Sequence, residues 1–466
     1  MSRINTNVTS LIAQRVLAKN NSDLNQSLER LSTGLKINSG ADDPAGLIAS
    51  ENLKSEQTGI TQAIDNANRA NNIVGTAEGG LSEVSSLLTQ LQSLVSQSAN
   101  TGGLSTEEVQ ANQLQVDSIL NTVNRIAQST SFQGKQLLNG NYAYTTSGVA
   151  STSFNNVAIN AARLPDGSSV NVVVQVTTSA QTGEITYTGG ALTTNATIEV
   201  AGNTGTEQLS FASGTAVSAI AASINAVSTA TGVSATVSGT DLKVDSTSYG
   251  SDQFVSLKTI AGTFNPSTTK DLGRDAAVTI NGAQAQATGK TINYRSSNLD
   301  LSFDLNSTFN KAGTDSFYIT GGGATFALGS KVTETDKASI GIQSVSTGSL
   351  GDSTNGFLTD LASGGKASLS SGNLVTAQKI LDAAVKQVSE LRGRLGAFQK
   401  YTIGSTINSL GVAYENVSSS LSDIQDTDFA AETANLTRSQ ILAQAATSVL
   451  SQANSSPQQA LSLLPR

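Results

Sequence analysis

Closely spaced carboxylates are the first residues to weigh for chemistry, because Asp42-Asp43 and the pair Asp426 and Asp428 could in principle hold a cation. Neither group has the ligand spacing or the turn glycine of an EF-hand loop. Asp43 stands immediately before Pro44, the order of a helix cap followed by a first helical residue. Asp426 and Asp428 lie where a new helix can begin, a position that favours negative charge. The Gly321-Gly322-Gly323 run has no Lys-Ser/Thr behind it and reads as a turn between strands, not a phosphate loop. The 466-residue chain has no His and no Cys. Ser-His-Asp triads, thiolate nucleophiles, histidine bases and the usual zinc sets are therefore excluded, as are disulfides. No catalytic residue, cofactor-binding residue or metal ligand is assigned.

The elements behind these residues are unusual in composition. Only 13% of residues are charged, about half of the roughly 25% of an ordinary globular chain, and Ser, Thr, Asn, Gln and Gly fill the difference. The net charge of −8 disfavours a nucleic-acid partner. There is no run of about 18 apolar residues, so no membrane insertion is expected. No apolar stretch follows Arg3, so a Sec-type signal is not expected either.

From Ile60 onward, apolar residues recur every seven positions at Ile60, Ala67, Val74, Leu81, Leu88 and Val95, with a companion row at Ala63, Ala70, Ala77, Val84 and Leu91. That heptad seam predicts a helix of about 50 Å over this stretch alone, and its alanines predict close helix approach. Ser105 with Glu108 three residues later reads as a capping box opening a second helix over 106–129, folded back through a turn at 100–103. Near the other end Ile403, Ile407, Leu410, Tyr414, Val417, Leu421 and Ile424 alternate four and three apart. These bundle seams alone fit a monomeric bundle as well as a polymer.

Each terminus adds an amphipathic arm. A separate helix is predicted over 6–35, with seven-residue spacings at Leu17, Leu24 and Leu31 and at Leu28 and Leu35. The C-terminal arm repeats through Phe429, Leu436, Ala443 and Leu450, with Leu442 and Val449 alongside. Residues 1–36 carry five basic and two acidic side chains, and residues 415–466 the reverse, so the arms attract one another weakly. Such polar-rich helices are marginal as an isolated pair and are expected to order on assembly. The apolar positions Leu11, Val16, Leu24, Leu28 and Leu31, pairing with Leu436, Ile441, Leu442, Val449 and Leu450, are the candidate assembly interface.

Between about 141 and 336 the pattern turns to β-branched runs such as 170–176 and 196–200, with Gly-containing turns at 166–167 and 187–190 and one helical stretch over 216–228. The fold class is therefore α+β: a long α-helical hairpin or coiled-coil bundle formed by both termini, with a central, mainly-β outer insertion. The domain reading is terminal arms 1–43 and 424–466, a helical bundle with a β-hairpin over 44–176 and 338–423, and a variable surface domain over 177–337.

The residues at both ends resemble bacterial flagellin. The likeness is carried by Ile4-Asn5-Thr6-Asn7, by Ser27-Leu28-Glu29-Arg30-Leu31-Ser32-Thr33-Gly34-Leu35 and by Ala41-Asp42-Asp43-Pro44-Ala45-Gly46-Leu47. At the C-terminal end Leu395-Gly396-Ala397-Phe398-Gln399, Asp426-Thr427-Asp428-Phe429 and Leu461-Ser462-Leu463-Leu464 carry it. Within the insertion, 216–257 resembles the flagellin hook IN repeat. The resemblance implies a structural, non-enzymatic subunit of the extracellular flagellar filament. It implies an inner tube built from the arms, an outer tube from the heptad segments, an exposed insertion, and type III export with no cofactor. The implied partners are further copies of the chain, an export chaperone, a filament cap and hook-filament junction proteins. A junction protein or a secreted adhesin is the alternative. The chain departs from the family where an innate immune receptor binds: Gln90 and Gln115 replace charged residues, while Leu94 is kept. Lys400-Tyr401 replaces an Asn-Arg pair, and Pro465-Arg466 ends the chain.

Overall fold

The computed structural model describes residues 6–100, 102–165 and 168–462, with side chains through 456. The turns expected at Thr101 and at Asp166-Gly167, the first residues Ile4-Asn5, and the closing Leu463-Leu464 and Pro465-Arg466 lie outside the described residues. Three helices open the chain: α1 (Val8–Thr33), α2 (Pro44–Ser98) and α3 (Thr106–Ser129). Asn7 caps α1 by accepting the Ser10 N–H, and Gly34 ends it in the left-handed region at φ 74°, where glycine has no Cβ to clash. Asp43 accepts the N–H groups of Ala45 and Gly46 at the start of α2. The Ser105–Glu108 capping box is complete, with both reciprocal bonds present. Asp42, Asp43 and Asp428, weighed above as cation ligands, thus accept backbone N–H groups, and Asp426 accepts the Ser422 hydroxyl.

The middle is β-rich. Strands β1 (Ser131–Phe132), β2 (Lys135–Gln136), β3 (Tyr144–Ser147), β4 (Phe154–Ala162) and β5 (Val170–Thr178) come first. They are followed by β6 (Glu184–Tyr187), β7 (Ala196–Gly202), β8 (Thr206–Phe211), α4 (Val217–Ala226), α5 (Ser228–Thr231), β9 (Val233–Ser238), β10 (Asp241–Ser246), β11 (Phe254–Gly262) and β12 (Lys270–Leu272). Then come β13 (Ala277–Ile280), β14 (Ala283–Gln284), β15 (Gln286–Thr288), β16 (Thr291–Arg295), β17 (Leu299–Leu305) and β18 (Gly313–Gly322). The strand pattern begins before 177: β5 crosses that position and pairs with both β13 and β18, while β4 pairs with β17. Pairing with later strands, which local periodicity does not report, ties 154–178 to the insertion. After it come α6 (Leu374–Ala397), a π-helical turn over Phe398–Ile403, α7 (Gly404–Gln425) and α8 (Phe429–Ser462).

The chain forms two compact units. One contains residues 1–68, 327–336 and 403–466; the other is Arg69–Phe326 with Lys337–Thr402. In the second unit Arg392 of α6 grips Glu78 of α2 through both Nε and Nη2 at 2.8 Å, and Asn112 of α3 donates to Ser98 of α2. Gln113 and Asp117 of α3 pin the loop over 361–369. Gln113 Nε2 donates to the Leu361 carbonyl and its Oε1 accepts the Leu369 N–H, while Asp117 accepts from the Ser363 N–H and hydroxyl. Burial raises the Asp117 pKa, but those donors together with Gln113 outweigh it and hold the carboxyl below its ordinary value. In the first unit the loop over 327–336 lies against α2 at Gly59, where a Cβ would sit 2.6 Å from the Ser330 carbonyl oxygen.

Candidate assembly surface

The seam of α2 is continuous. Ile60, Ala63, Ala67, Ala70, Val74, Ala77, Leu81, Val84, Leu88, Leu91 and Val95 are all buried, most of them completely. The α7 seam is covered only in part: Ile403 is buried, Ile407, Leu410, Val417 and Leu421 are half-buried, and Tyr414 is exposed. Helix α6 carries a third seam. Ala377, Leu381, Ala384, Val388, Leu391 and Leu395 of α6 are buried at alternating four- and three-residue spacing, the signal that could have revealed it.

The arms α1 and α8 run antiparallel. Asn7 Nδ2 donates to the Ala453 carbonyl and Ser10 Oγ to Asn454 Oδ1, both at 2.7 Å. At the far end the Lys36 N–H donates to the Gln425 carbonyl and the Thr427 N–H to that of Gly34. Asp428 caps α8 by accepting from Ala430 and Ala431. Between these clamps the most deeply buried positions carry small or polar side chains, and leucines flank them. Ser10, Ala13 and Ser27 of α1 are buried, as are Glu432 and Ala446 of α8. Leu17, Leu24, Leu31, Leu436, Ala443 and Leu450 are half-buried between them. With half-buried Asn20 and Ser439 both rows alternate three and four apart, so Ser10, Ala13, Ser27, Glu432 and Ala446 are marked by spacing and obscured by small size or polarity. Arg30 Nη1 lies 3.8 Å from buried Glu432, and its Nε is buried without a hydrogen-bond partner.

The candidate interface residues therefore divide between two faces. Leu24, Leu31, Leu436 and Leu450 sit in the row between the arms. Leu11, Val16, Leu28, Ile441, Leu442 and Val449 stand exposed, with Leu11 at 57%, Ile441 at 61% and Val449 at 58%. Val8, Ile12 and Phe429 are exposed as well. Small residues between the arms let the backbones approach and turn the bulky side chains outward. These exposed apolar groups are the candidate interaction surface of the arms.

Of the residues weighed for immune recognition, Gln90 and Gln115 are exposed and Leu94 is buried. Among the described residues no three His, Cys, Asp or Glu side chains are grouped to hold a metal, and no helix is long and apolar enough to cross a membrane. Two open grooves of about 530 and 480 Å³ flank Gln136 and are lined mainly by amides and hydroxyls.

Residues 4–143 match the model of the bacterial flagellin N-terminal helical region, 378–464 that of the C-terminal helical region, and 197–248 the flagellin hook IN motif. The last overlaps the 216–257 segment and lies further toward the N-terminus. Polar flagellin B/D of Vibrio parahaemolyticus is 31% identical over 99% of both chains. Flagellin A of Vibrio cholerae is 32% identical, also over 99% of each. Among solved structures, FliC from Burkholderia pseudomallei aligns with 71% of this chain and 99% of its own at 17% identity and a TM-score of 0.25. FlgL from Xanthomonas campestris aligns with 78% and 98% at 13% identity and a TM-score of 0.29.

Proposed function

The chain belongs to the bacterial flagellins, the extracellular filament subunits of the flagellum, and on that premise we propose how it polymerises. Arms 1–43 and 424–466 build an inner tube, the helical segments of 44–176 and 338–423 build a tube around it, and the insertion 177–337 faces outward. The observation that carries this reading is the outward apolar face of α1 and α8. Paired arms that leave Leu11, Val16, Leu28, Ile441, Leu442 and Val449 in water have further surface to bury, and other copies of the chain supply it. The half-covered seam of α7 adds a second contact of the same kind.

The role is mechanical and no step is catalytic, which accords with a chain lacking His and Cys. Export through a type III channel with a chaperone, growth beneath a filament cap and attachment to hook-filament junction proteins complete the proposal. Similarity to flagellins along the whole chain favours this reading over a junction protein or an adhesin. The test is electron microscopy of the purified chain seeded with filament fragments, beside a version lacking residues 1–36 and 424–466. Long filaments from the full chain alone are expected. Rings, monomers, or filaments from both chains would refute it.

A further inference from the structure

The two open grooves of about 530 and 480 Å³ meet at Gln128 and Gln136, which line both. Helix α3 supplies one wall. Asn121 and the residues three, four and seven positions on, Asn124, Arg125 and Gln128, share one helix face. The β1–β2 hairpin supplies the other wall. Its turn places two consecutive residues at positive φ, Gln133 at 49° and Gly134 at 79°, as in the type I′ turns that close two-residue hairpins, and Lys135 follows at once. Gln136 Nε2 donates to the Gln128 carbonyl at 2.7 Å and so fastens the hairpin to the end of α3.

The chemistry of the walls selects a class of ligand. Asn124 Oδ1 is engaged by Thr347 and Gln136 Oε1 by Asn139. The side-chain amides of Asn121, Gln128 and Asn141 have no hydrogen-bond partner among the described residues. Each offers donor and acceptor side by side, which suits the neighbouring hydroxyls of a sugar. Arg125 and Lys135 are exposed, and among the described residues neither has a carboxylate within ion-pair distance and no Asp or Glu lines the grooves. In a chain of net charge −8 two cations thus stand together without an acid. No aliphatic side chain lines the grooves either, so the apolar anchors of a peptide would find no pocket, while Tyr142 offers a ring to a sugar face. We propose that the joined grooves bind an acidic polysaccharide, with Arg125 and Lys135 taking its carboxylate or sulfate groups and the unpartnered amides its hydroxyls. This role is separate from filament building and does not rest on it.

Isothermal titration of the full-length free subunit tests the site, with hexagalacturonate, its uncharged methyl ester and a sulfated hexasaccharide as probes. At least one acidic sugar should bind saturably, and the ester at least about tenfold more weakly. Arg125→Gln/Lys135→Gln should weaken the acidic sugar by about tenfold or more, and Gln128→Ala by about threefold. Lys258→Gln/Lys270→Gln makes the same charge change on the β-rich insertion and should leave affinity within about twofold. No saturable binding of either acidic sugar, an ester that binds as tightly, or equal losses in the two double variants would overturn the proposal. Failure of Arg125→Gln/Lys135→Gln to polymerise from seeds, with no sugar bound by the unmodified chain, would overturn it in favour of a contact between copies.

Discussion

Charging a side chain of the outward face separates assembly from folding, and Leu442→Asp does this most cleanly. Leu442 is 46% exposed, so in the free subunit the change should alter stability by no more than about 0.5 kcal/mol. In the proposed filament the remaining half of the side chain is covered. Full burial of a leucine is worth about 1.5–3 kcal/mol, so the leucine contributes about 1 kcal/mol there. Its replacement must strip water from an unpaired carboxylate, which costs several kcal/mol more. The total of about 3–5 kcal/mol corresponds to at least about a 10²-fold rise in critical concentration, at 1.4 kcal/mol per tenfold. Leu442→Ala forgoes only the first part and should raise it about fivefold. Pelleting of seeded reactions over a concentration series reads both values, and circular dichroism confirms that the subunits stay folded. A Leu442→Asp chain that polymerises at the unmodified chain's critical concentration would remove this face from the assembly account.

Other consequences follow from the remaining contacts. Leu31→Asp charges the row between the arms and should abolish filaments, with thermal unfolding of the β-rich region left unchanged. Leu81→Ala opens a fully buried seam position of α2 and should cost about 2–5 kcal/mol in denaturant titration. Ser105→Ala breaks the α3 capping box and should cost about 1 kcal/mol by the same assay. Asp117 has a folded-state pKa below its unfolded value, since its donors outweigh burial. Its contribution is therefore present above the ordinary aspartate value of about 3.9 and lost as the pH falls through the folded one. Stability of Asp117→Asn, measured from pH 5 down to pH 2, should fall less steeply than that of the unmodified chain; parallel curves would discount the Ser363 and Gln113 bonds.

What the sequence disclosed tracks how local the signal was. The α2 seam is legible because apolar residues hold one face without interruption, and the α3 start because Ser105 and Glu108 satisfy each other within one turn. The α6 seam keeps the same alternation from Ala377 to Leu395, yet its alanines make it read as polar between Lys379, Lys386 and Arg392. In the arms the inner row mixes sizes: Leu17, Leu24, Leu31, Leu436 and Leu450 are legible as seven-residue repeats, while Ser10, Ala13, Ser27 and Ala446 beside them are hidden by small size. Which of the large residues enter that row and which stay exposed is decided by packing, and a single periodicity does not reveal it.

The chain's lack of cysteine allows a direct test of whether other copies cover the outward face of the arms. Single-cysteine chains Ile441→Cys and, as an outer control on the β-rich insertion, Lys258→Cys would be labelled with a maleimide as free subunits and as filaments. Equal labelling of both in free subunits, with Ile441→Cys protected by about 100-fold in filaments while Lys258→Cys still reacts, is the predicted result. An Ile441→Cys that reacts as fast in the filament as in the free subunit would contradict the account.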